Sequence, residues 1–363
     1  MISLVFFGDL KYCPYLYRYT ERLDKNKMKY EVLFWNRGGF KLTLPENYYW
    51  YDSVSSESLS RTRKIFDFIG FRKWVMKKLK DSNPEGIILL STLSGMFLAD
   101  ELRKYKNRYI FDIRDHSYEH IGFYRLIEKR LINDSYFTAI SSKGFRAFLP
   151  EHDYIIAHNL NRHEVKKNVH LKKEGLPIRL VWNGTIRFFD FQKKYIDSLK
   201  NDSRFLMVYH GTGTEIEQYK KYCNDNKITN VIFTGVYDNS EKSQLIKGAG
   251  ILNNCYGGKG GDSLRWAVSN RYYDGLIYHI PQLVEPEGYK SQITQEAGVG
   301  VALAADQLFA DKLYSYYMNI DEYGFDTACE AELNKVLCED DIYISRIDDF
   351  VRHIEGKGNN EKK

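Results

Sequence analysis

The chain has 363 residues with a formal net charge of +5, and hydrophobic and charged residues make up 43% and 28% of it. That length exceeds one ordinary core and suits two domains, and the mild charge without a dense basic stripe argues against a nucleic-acid binder. No run of about eighteen apolar residues is present to span a membrane, and the first fifteen residues lack the basic n-region of a signal peptide, so the expected location is the cytoplasm.

Short β-rich runs alternate with longer helical patterns, which signals an α/β fold with parallel sheets. In the first half the spacing predicts strands at Ile2–Phe7, Tyr30–Trp35, Gly86–Leu90, Tyr109–Ile113, Tyr136–Ile140 and Tyr154–Ala157. Helical patterns there include Gly95–Lys104 and Tyr118–Ile132, with Glu128 expected to face solvent. Arg61–Lys80 is basic, aromatic and helical in pattern. It suits either a core helix with a solvated basic face or an interfacial helix dipping Phe68, Phe71, Trp74 and Val75 into an anionic membrane.

Asn161–Pro177 has the polarity of a linker. Beyond it, strands are expected at Ile178–Trp182, Phe205–Tyr209, Val231–Thr234, Gly250–Asn253 and Gln282–Val284, and helices at Glu215–Asn226, Asn239–Lys247 and Asn270–Tyr278. Glu339–His353 reads as a last helix and Glu355–Lys363 as a frayed tail. The chain therefore divides into residues 1–160, residues 161–338 and a C-terminal helix that returns to the first domain. Five scattered cysteines without a C-x-x-C pair, and no histidine cluster, point to reduced structural thiols and no metal site.

Open α/β sheets bind ligands beyond the carboxyl ends of their strands. The first strand runs into Gly8-Asp9-Leu10-Lys11-Tyr12, which is no G-x-G-x-x-G, and no P-loop occurs. The strongest local signal is residues 268–286, VSNRYYDGLIYHIPQLVEP. It reads as a helix N-capped by Asn270, whose dipole suits a diphosphate, with Asp274 one turn in to accept from ribose hydroxyls. An ordinary βα unit with a surface Asp fits the spacing equally.

Asn270-Arg271-Tyr272-Tyr273-Asp274-Gly275-Leu276, followed by Ile280-Pro281-Gln282-Leu283, resembles the donor-binding signature of family 4 glycosyltransferases, N-K-x-Y-E-x-L-x-x-G-x-P-V-I in one branch. Asp274 replaces the usual Glu, His279 stands where Gly is usual, and Trp266 takes the place of an earlier Glu that holds donor hydroxyls; Asp262 is a substitute for that Glu. Gly184, Thr185, Arg187 and Lys193 are similar to the family's G-R-x-x-x-x-K-G region, whose cations grip the donor diphosphate. Gly211 and Gly213 match a Gly-containing turn near the donor, and Thr234-Gly235 the site where backbone reads the base. Asp112-Ile113-Arg114-Asp115-His116 resembles the D-x-R-D segment near the reacting sugar, with Asp115 and His116 as candidates; a structural Asp–Arg pair is the competing reading. Ser141 and Ser142 read as caps.

The resemblance implies a GT-B fold, two Rossmann-like doubly wound domains facing a cleft. It implies transfer of a hexosyl group from a nucleoside-diphosphate sugar, UDP- or GDP-linked, to a glycan or lipid-linked acceptor, with retention and without metal, as in capsule or O-antigen assembly. A nucleotide-sugar epimerase and a non-catalytic sugar-nucleotide-binding partner are the alternatives.

Overall fold

The computed structural model describes residues 1–54, 61–166, 168–238, 240–257 and 264–360. It separates into two compact units, Met1–His158 with Cys338–Lys363, and Asn159–Leu337.

The first unit is built on a seven-stranded sheet in the order β3-β2-β1-β4-β5-β6-β7. The strands are β1 (Ile2–Phe6), β2 (Tyr30–Asn36), β3 (Tyr48–Asp52), β4 (Gly86–Leu89), β5 (Tyr109–Ile113), β6 (Phe137–Ile140) and β7 (Ile155–Ile156). All neighbours pair in parallel. β1, β4, β5 and β6 are buried along their whole length, which is why each reads as an unbroken apolar run rather than an alternating one. The helices are α1 (Leu16–Lys25), α2 (Arg61–Ser82), α3 (Thr92–Phe97) and α4 (Gly122–Asp134). Order reverses between β1 and β4, so the switch point lies beyond their carboxyl ends.

The second unit holds a six-stranded sheet in the order β10-β9-β8-β11-β12-β13, again parallel throughout. Its strands are β8 (Ile178–Asn183), β9 (Phe205–His210), β10 (Val231–Gly235), β11 (Ile251–Asn253), β12 (Gln282–Val284) and β13 (Gly300–Ala302). Its helices are α5 (Phe189–Leu199), α6 (Ile216–Asp225), α7 (Lys242–Lys247), α8 (Asn270–Tyr278), α9 (Tyr289–Glu296) and α10 (Phe309–Met318). A 39-residue helix, α11 (Glu322–Asn360), starts in this unit and ends in the first. Tyr343, Ile347, Phe350, Val351 and Ile354 of α11 join the core made by β1, β2 and α1.

Several expected boundaries move. The helix expected over Gly95–Lys104 is split into α3 and a 3-10 turn at Glu101–Tyr105. The supposed frayed tail continues α11 to Asn360. The polar stretch before β8 is packed on the second unit: Leu171 enters its core with Val165 against it, and the Leu171 N–H donates to Asp326 Oδ1 at 2.7 Å. α2 is not interfacial in the way its composition suggested. Phe71 and Val75 are fully buried, Phe68 stacks 5.0 Å from Phe97, and Trp74 lies against Phe71. Phe71 and Val75 face the sheet, while Phe68 and Trp74 are half-buried against Phe97 and Phe71.

Candidate functional site

The three loops leaving β8, β9 and β10 are tied side by side. Gly184 N–H donates to the His210 carbonyl at 3.0 Å, Gly211 N–H to the Gly235 carbonyl at 2.8 Å, and Ile186 N–H to the Thr212 carbonyl at 2.9 Å. Close approach explains the glycines of the second loop. A Cβ on Gly211 would stand 2.0 Å from the Gly184 carbonyl oxygen, and one on Gly213 1.9 Å from that of Ile186. Gly211 also has φ +126. Packing alone therefore requires glycine at both positions, for which sequence reasoning expected a ligand role. Gly184 (φ +112) and Gly235 (φ +84) border open space. Thr185 and Thr234 are exposed beside them.

Beyond β11, Ser269 rather than Asn270 precedes the first turn of α8, and no side chain caps it. The Ser269 hydroxyl donates instead to Asn254 Oδ1 at 2.5 Å. Asn270 is therefore the first helical residue and is exposed, not the cap. Uncapped N–H groups leave the positive end of the helix dipole unspent.

Arg271 follows, and it is the most unusual side chain of the unit. It is 9% exposed, its guanidinium lies 3.6 Å over the Trp182 ring, and Nη1 donates to the Asn183 carbonyl at 3.2 Å. Nε is buried without a hydrogen-bond partner, and none of the ion pairs among the described residues includes Arg271. Burial lowers its pKa to about 10; Tyr256 and Asp274 work against the shift and Arg187 adds to it. A buried cation without a carboxylate is costly unless an anion completes it. Two neighbours are also incomplete: Asn183 Oδ1 and His210 Nε2 are buried without partners. They are adjacent across β8 and β9. His210 Nδ1 is 2.8 Å from Thr234 Oγ1, and burial lowers its pKa, so the ring is neutral near pH 7.

Arg187 is exposed close enough to Arg271 to repel it, with its guanidinium 4.6 Å from the Phe188 ring. Its backbone is held: Tyr219 OH donates to the Arg187 carbonyl at 2.8 Å, and Phe188 sits at φ +67. Lys193 turns elsewhere. Its ammonium lies 4.7 Å over Tyr222 on α6, and no contact joins it to Arg187 or Arg271. Asp262 is outside the described residues. Trp266, in the place of the family's first Glu, is half-buried with Arg265 5.3 Å from its ring.

Asp274 is 3% exposed and is already engaged. Lys242 Nζ lies 2.6 Å from Oδ1, and Asn183 Nδ2 donates to Oδ2 at 3.4 Å. Lys242 is also 3.5 Å from Glu164 Oε2, which accepts from Tyr278 OH at 3.1 Å. Burial works to lower the Lys242 pKa, but Asp274 and Glu164 outweigh it and raise it. Neither Lys242 nor Glu164 carries a local sequence signal. His279 occupies the left-handed position at the end of α8 (φ 50), where a glycine is usual, and a 2.8 Å contact from Nδ1 to Asp326 Oδ1 pins it there.

In the first unit the competing reading of Asp112-Arg114 is the one observed. Arg114 Nε and Nη2 both lie 2.7 Å from the Asp112 carboxylate, Nη1 donates to the Ala157 carbonyl at 2.8 Å, and Tyr19 OH donates to Asp112 at 2.8 Å. Arg18 pairs with Asp340 of α11 in the same buried network. Ser142 Oγ accepts from Gly144 N–H at 3.1 Å and caps a 3-10 turn. Asp115 is exposed, and His116 packs edge-on against Phe148 with Nε2 3.6 Å from Glu119 Oε2.

Glu128 corrects the expectation of a solvent-facing carboxylate. It is 1% exposed, and burial, followed by the charge and hydrogen bond of Glu119, raises its pKa to about 8. A carboxyl whose pKa is raised on folding lends stability below its unfolded pKa and loses it as pH rises through the folded value. Glu128→Gln keeps the donor and removes the titration. It is expected to stabilise the protein by about 4 kcal/mol at pH 8 and to leave pH 4 nearly unchanged, as read by denaturant melts across that range.

No family model and no curated protein matches this chain. Solved structures do. The Anabaena Alr3699/HepE in complex with UDP aligns with TM-score 0.68 at 11% identity, over 95% of this chain and 98% of that one. WaaG, described as a glycosyltransferase involved in lipopolysaccharide biosynthesis, aligns with TM-score 0.58 at 10% identity over 92% and 94%. A putative UDP-N-acetylglucosamine 2-epimerase from Listeria monocytogenes aligns with TM-score 0.57 at 10% identity over 91% and 90%. At such identities the likeness establishes the architecture: this chain has the GT-B fold, two Rossmann-like units in series.

Proposed function

We propose that the protein is a glycosyltransferase that takes a hexosyl group from a nucleoside-diphosphate sugar and passes it to a hydroxyl of a glycan or lipid-linked acceptor. The observation that carries this reading is Arg271: a buried guanidinium without a carboxylate, beside the uncapped start of α8 and the unspent Nε2 of His210. That set is the complement of a diphosphate. Arg271 and the helix start bind it in the ground state. As the glycosidic bond breaks, the leaving diphosphate gains charge, and exposed Arg187 meets it on the open side. These cations do what a divalent ion does in metal-dependent transferases, which fits a metal-independent, retaining enzyme.

Asp274 takes a different role from the one its position in the signature suggested. With Lys242 on one oxygen and Asn183 facing the other, it fixes both donors, and the ribose hydroxyls meet that charged cluster rather than a free carboxylate. The solved neighbours whose descriptions include UDP favour a uridine donor. Cell-surface polysaccharide synthesis on the cytoplasmic face is the pathway we assign.

Arg187→Ala is expected to lower donor turnover about a hundredfold with little change in melting temperature, as for loss of one preorganised charge stabiliser. Sugar release from a UDP-sugar panel, with and without a glycan acceptor, measures it. Near wild-type rates in the variant would refute the role. A free isomerised sugar nucleotide, formed without acceptor, would favour an epimerase.

A further inference from the structure

The basic side of α2 borders a groove at the end of the first sheet where β4 and β5 begin. Asn83 and Pro84 lead into β4 and Arg108 leads into β5; the last turns of α2 and the 3-10 turn at Glu101–Tyr105 wall the space between them. Its volume is about 590 Å³, within the range of small-molecule sites. Open α/β sheets take their principal ligands beyond the carboxyl ends of the strands, so this groove lies at the opposite end. Leu79, Pro84 and Tyr105 give it a buried apolar floor.

Four cations and one carboxylate line the groove. The carboxylate is spent: Glu101 Oε1 and Oε2 lie 3.0 and 2.8 Å from Lys104 Nζ. Lys77, Lys80 and Arg108 take part in no ion pair among the described residues. The neighbouring acids are engaged elsewhere. Glu85 faces the N-terminal ammonium, Asp100 pairs with Arg72, and Asp134 with Lys106. Asp81 is exposed and lies outside the lining. Lys80, in the last turn of α2, is favoured by the helix dipole; Lys77, three residues earlier, and Arg108, on another element, have no such reason to be there. Arg108 is held in place, with Nη2 donating to the Lys104 carbonyl at 2.6 Å and the guanidinium 5.2 Å from the Tyr105 ring.

We propose that this groove binds an acidic oligosaccharide, with sugar C–H faces on the apolar floor and carboxylates on Lys77, Lys80 and Arg108. The planar guanidinium of Arg108 suits a carboxylate, and the two ammoniums act as point charges. A compact polyphosphate needs cations converging on one spot and gains nothing from an apolar floor. Here the cations stand on two elements around that floor, which suits charges spaced along a scaffold. A planar base needs an open aromatic face, and Tyr105 is 7% exposed with Arg108 against its ring. The use of such a site is retention, since a glycan held at a second point leaves more slowly. That use rests on the glycosyltransferase reading; the binding itself does not.

Calorimetric titration of trigalacturonate into the full chain tests it, carried out in the Arg271→Met variant so that the anion site of the second unit is silent. Submillimolar binding is expected, weaker as salt is raised, with the methyl-esterified trisaccharide bound about tenfold or more less tightly. In the same background the pair K77Q and K80Q is expected to lose about tenfold or more in affinity, and R108Q a comparable amount. The pair R125Q and K129Q removes two exposed charges from α4 instead and should leave affinity unchanged. Lys77 and Lys80 are exposed, so their removal should leave the melting temperature level. No binding of trigalacturonate, undiminished binding in the K77Q and K80Q pair, or an equal loss in the R125Q and K129Q pair overturns the proposal. So does tripolyphosphate bound more tightly than the trisaccharide through the same lysines. UDP binding is read on the wild type: its absence with trigalacturonate binding intact counts against the donor reading alone, and the reverse against this inference alone.

Discussion

Arg271→Met is expected to abolish donor turnover, by at least about a hundredfold, while the melting temperature stays level or rises. The two halves of that expectation come from one geometry. Methionine has a volume close enough to fill the slot over Trp182, and it brings no charge into a site that is 9% exposed. Replacing a buried, unpaired cation by an apolar side chain removes a desolvation cost, a change worth about 1 kcal/mol or more in favour of folding. The same replacement removes a buried positive charge from the start of α8, one that, unlike Lys290 with Glu285, has no carboxylate partner among the described residues. A structural arginine would behave in the opposite way, with stability lost and turnover kept. Thermal melts and single-turnover rates on one preparation separate the cases.

Gly211→Ala is expected to destabilise the second unit by about 3 kcal/mol. The added methyl would meet the Gly184 carbonyl oxygen at 2.0 Å, and backbone cannot rotate away as a side chain can. The residue's φ of +126 adds conformational strain. Gly235→Ala provides the comparison. Gly235 has φ +84 but nothing within 4 Å of the position a Cβ would take, so only the conformational cost of about 1 kcal/mol applies. Denaturant midpoints of the two variants should differ accordingly. Because the β8 and β9 loops hydrogen-bond to each other, Gly211→Ala should also displace Arg187 and lower turnover beyond what the fraction folded accounts for.

The contrast between these glycines shows what a sequence can and cannot convey. The alternation of strands and helices was legible because parallel strands buried on both faces are short, apolar and separated by helical patterns. The span of α8 was legible, since its signature runs from a polar start into a proline-led strand, although Ser269 and not Asn270 holds the cap position. β3 was not: Tyr48–Asp52 is a half-exposed aromatic edge strand with no buried residue among its five. β13 is three residues long and opens on a glycine.

At the site, the residue types were legible and their partners were not. Arg187 and Arg271 carried the expected positive charge, but Lys193 was drawn to Tyr222, a contact between two helices that no local spacing encodes. Lys242 and Glu164 lie 32 and 110 residues from Asp274 in sequence, and only the fold brings the three together. Glu128 was misjudged because a charged residue in a helix is ordinarily the outward one. In α4 the ordinary rule is reversed, with Phe123 and Leu126 outside and the carboxylate within.

The most direct test of the central claim is calorimetric titration of UDP, uridine and inorganic pyrophosphate into the wild-type protein. Binding carried by a diphosphate on Arg271 and the α8 start predicts micromolar affinity for UDP, displacement of UDP by pyrophosphate, and affinity for uridine weaker by about a hundredfold or more. Uridine binding as tightly as UDP, or no binding of any nucleoside diphosphate, would contradict it.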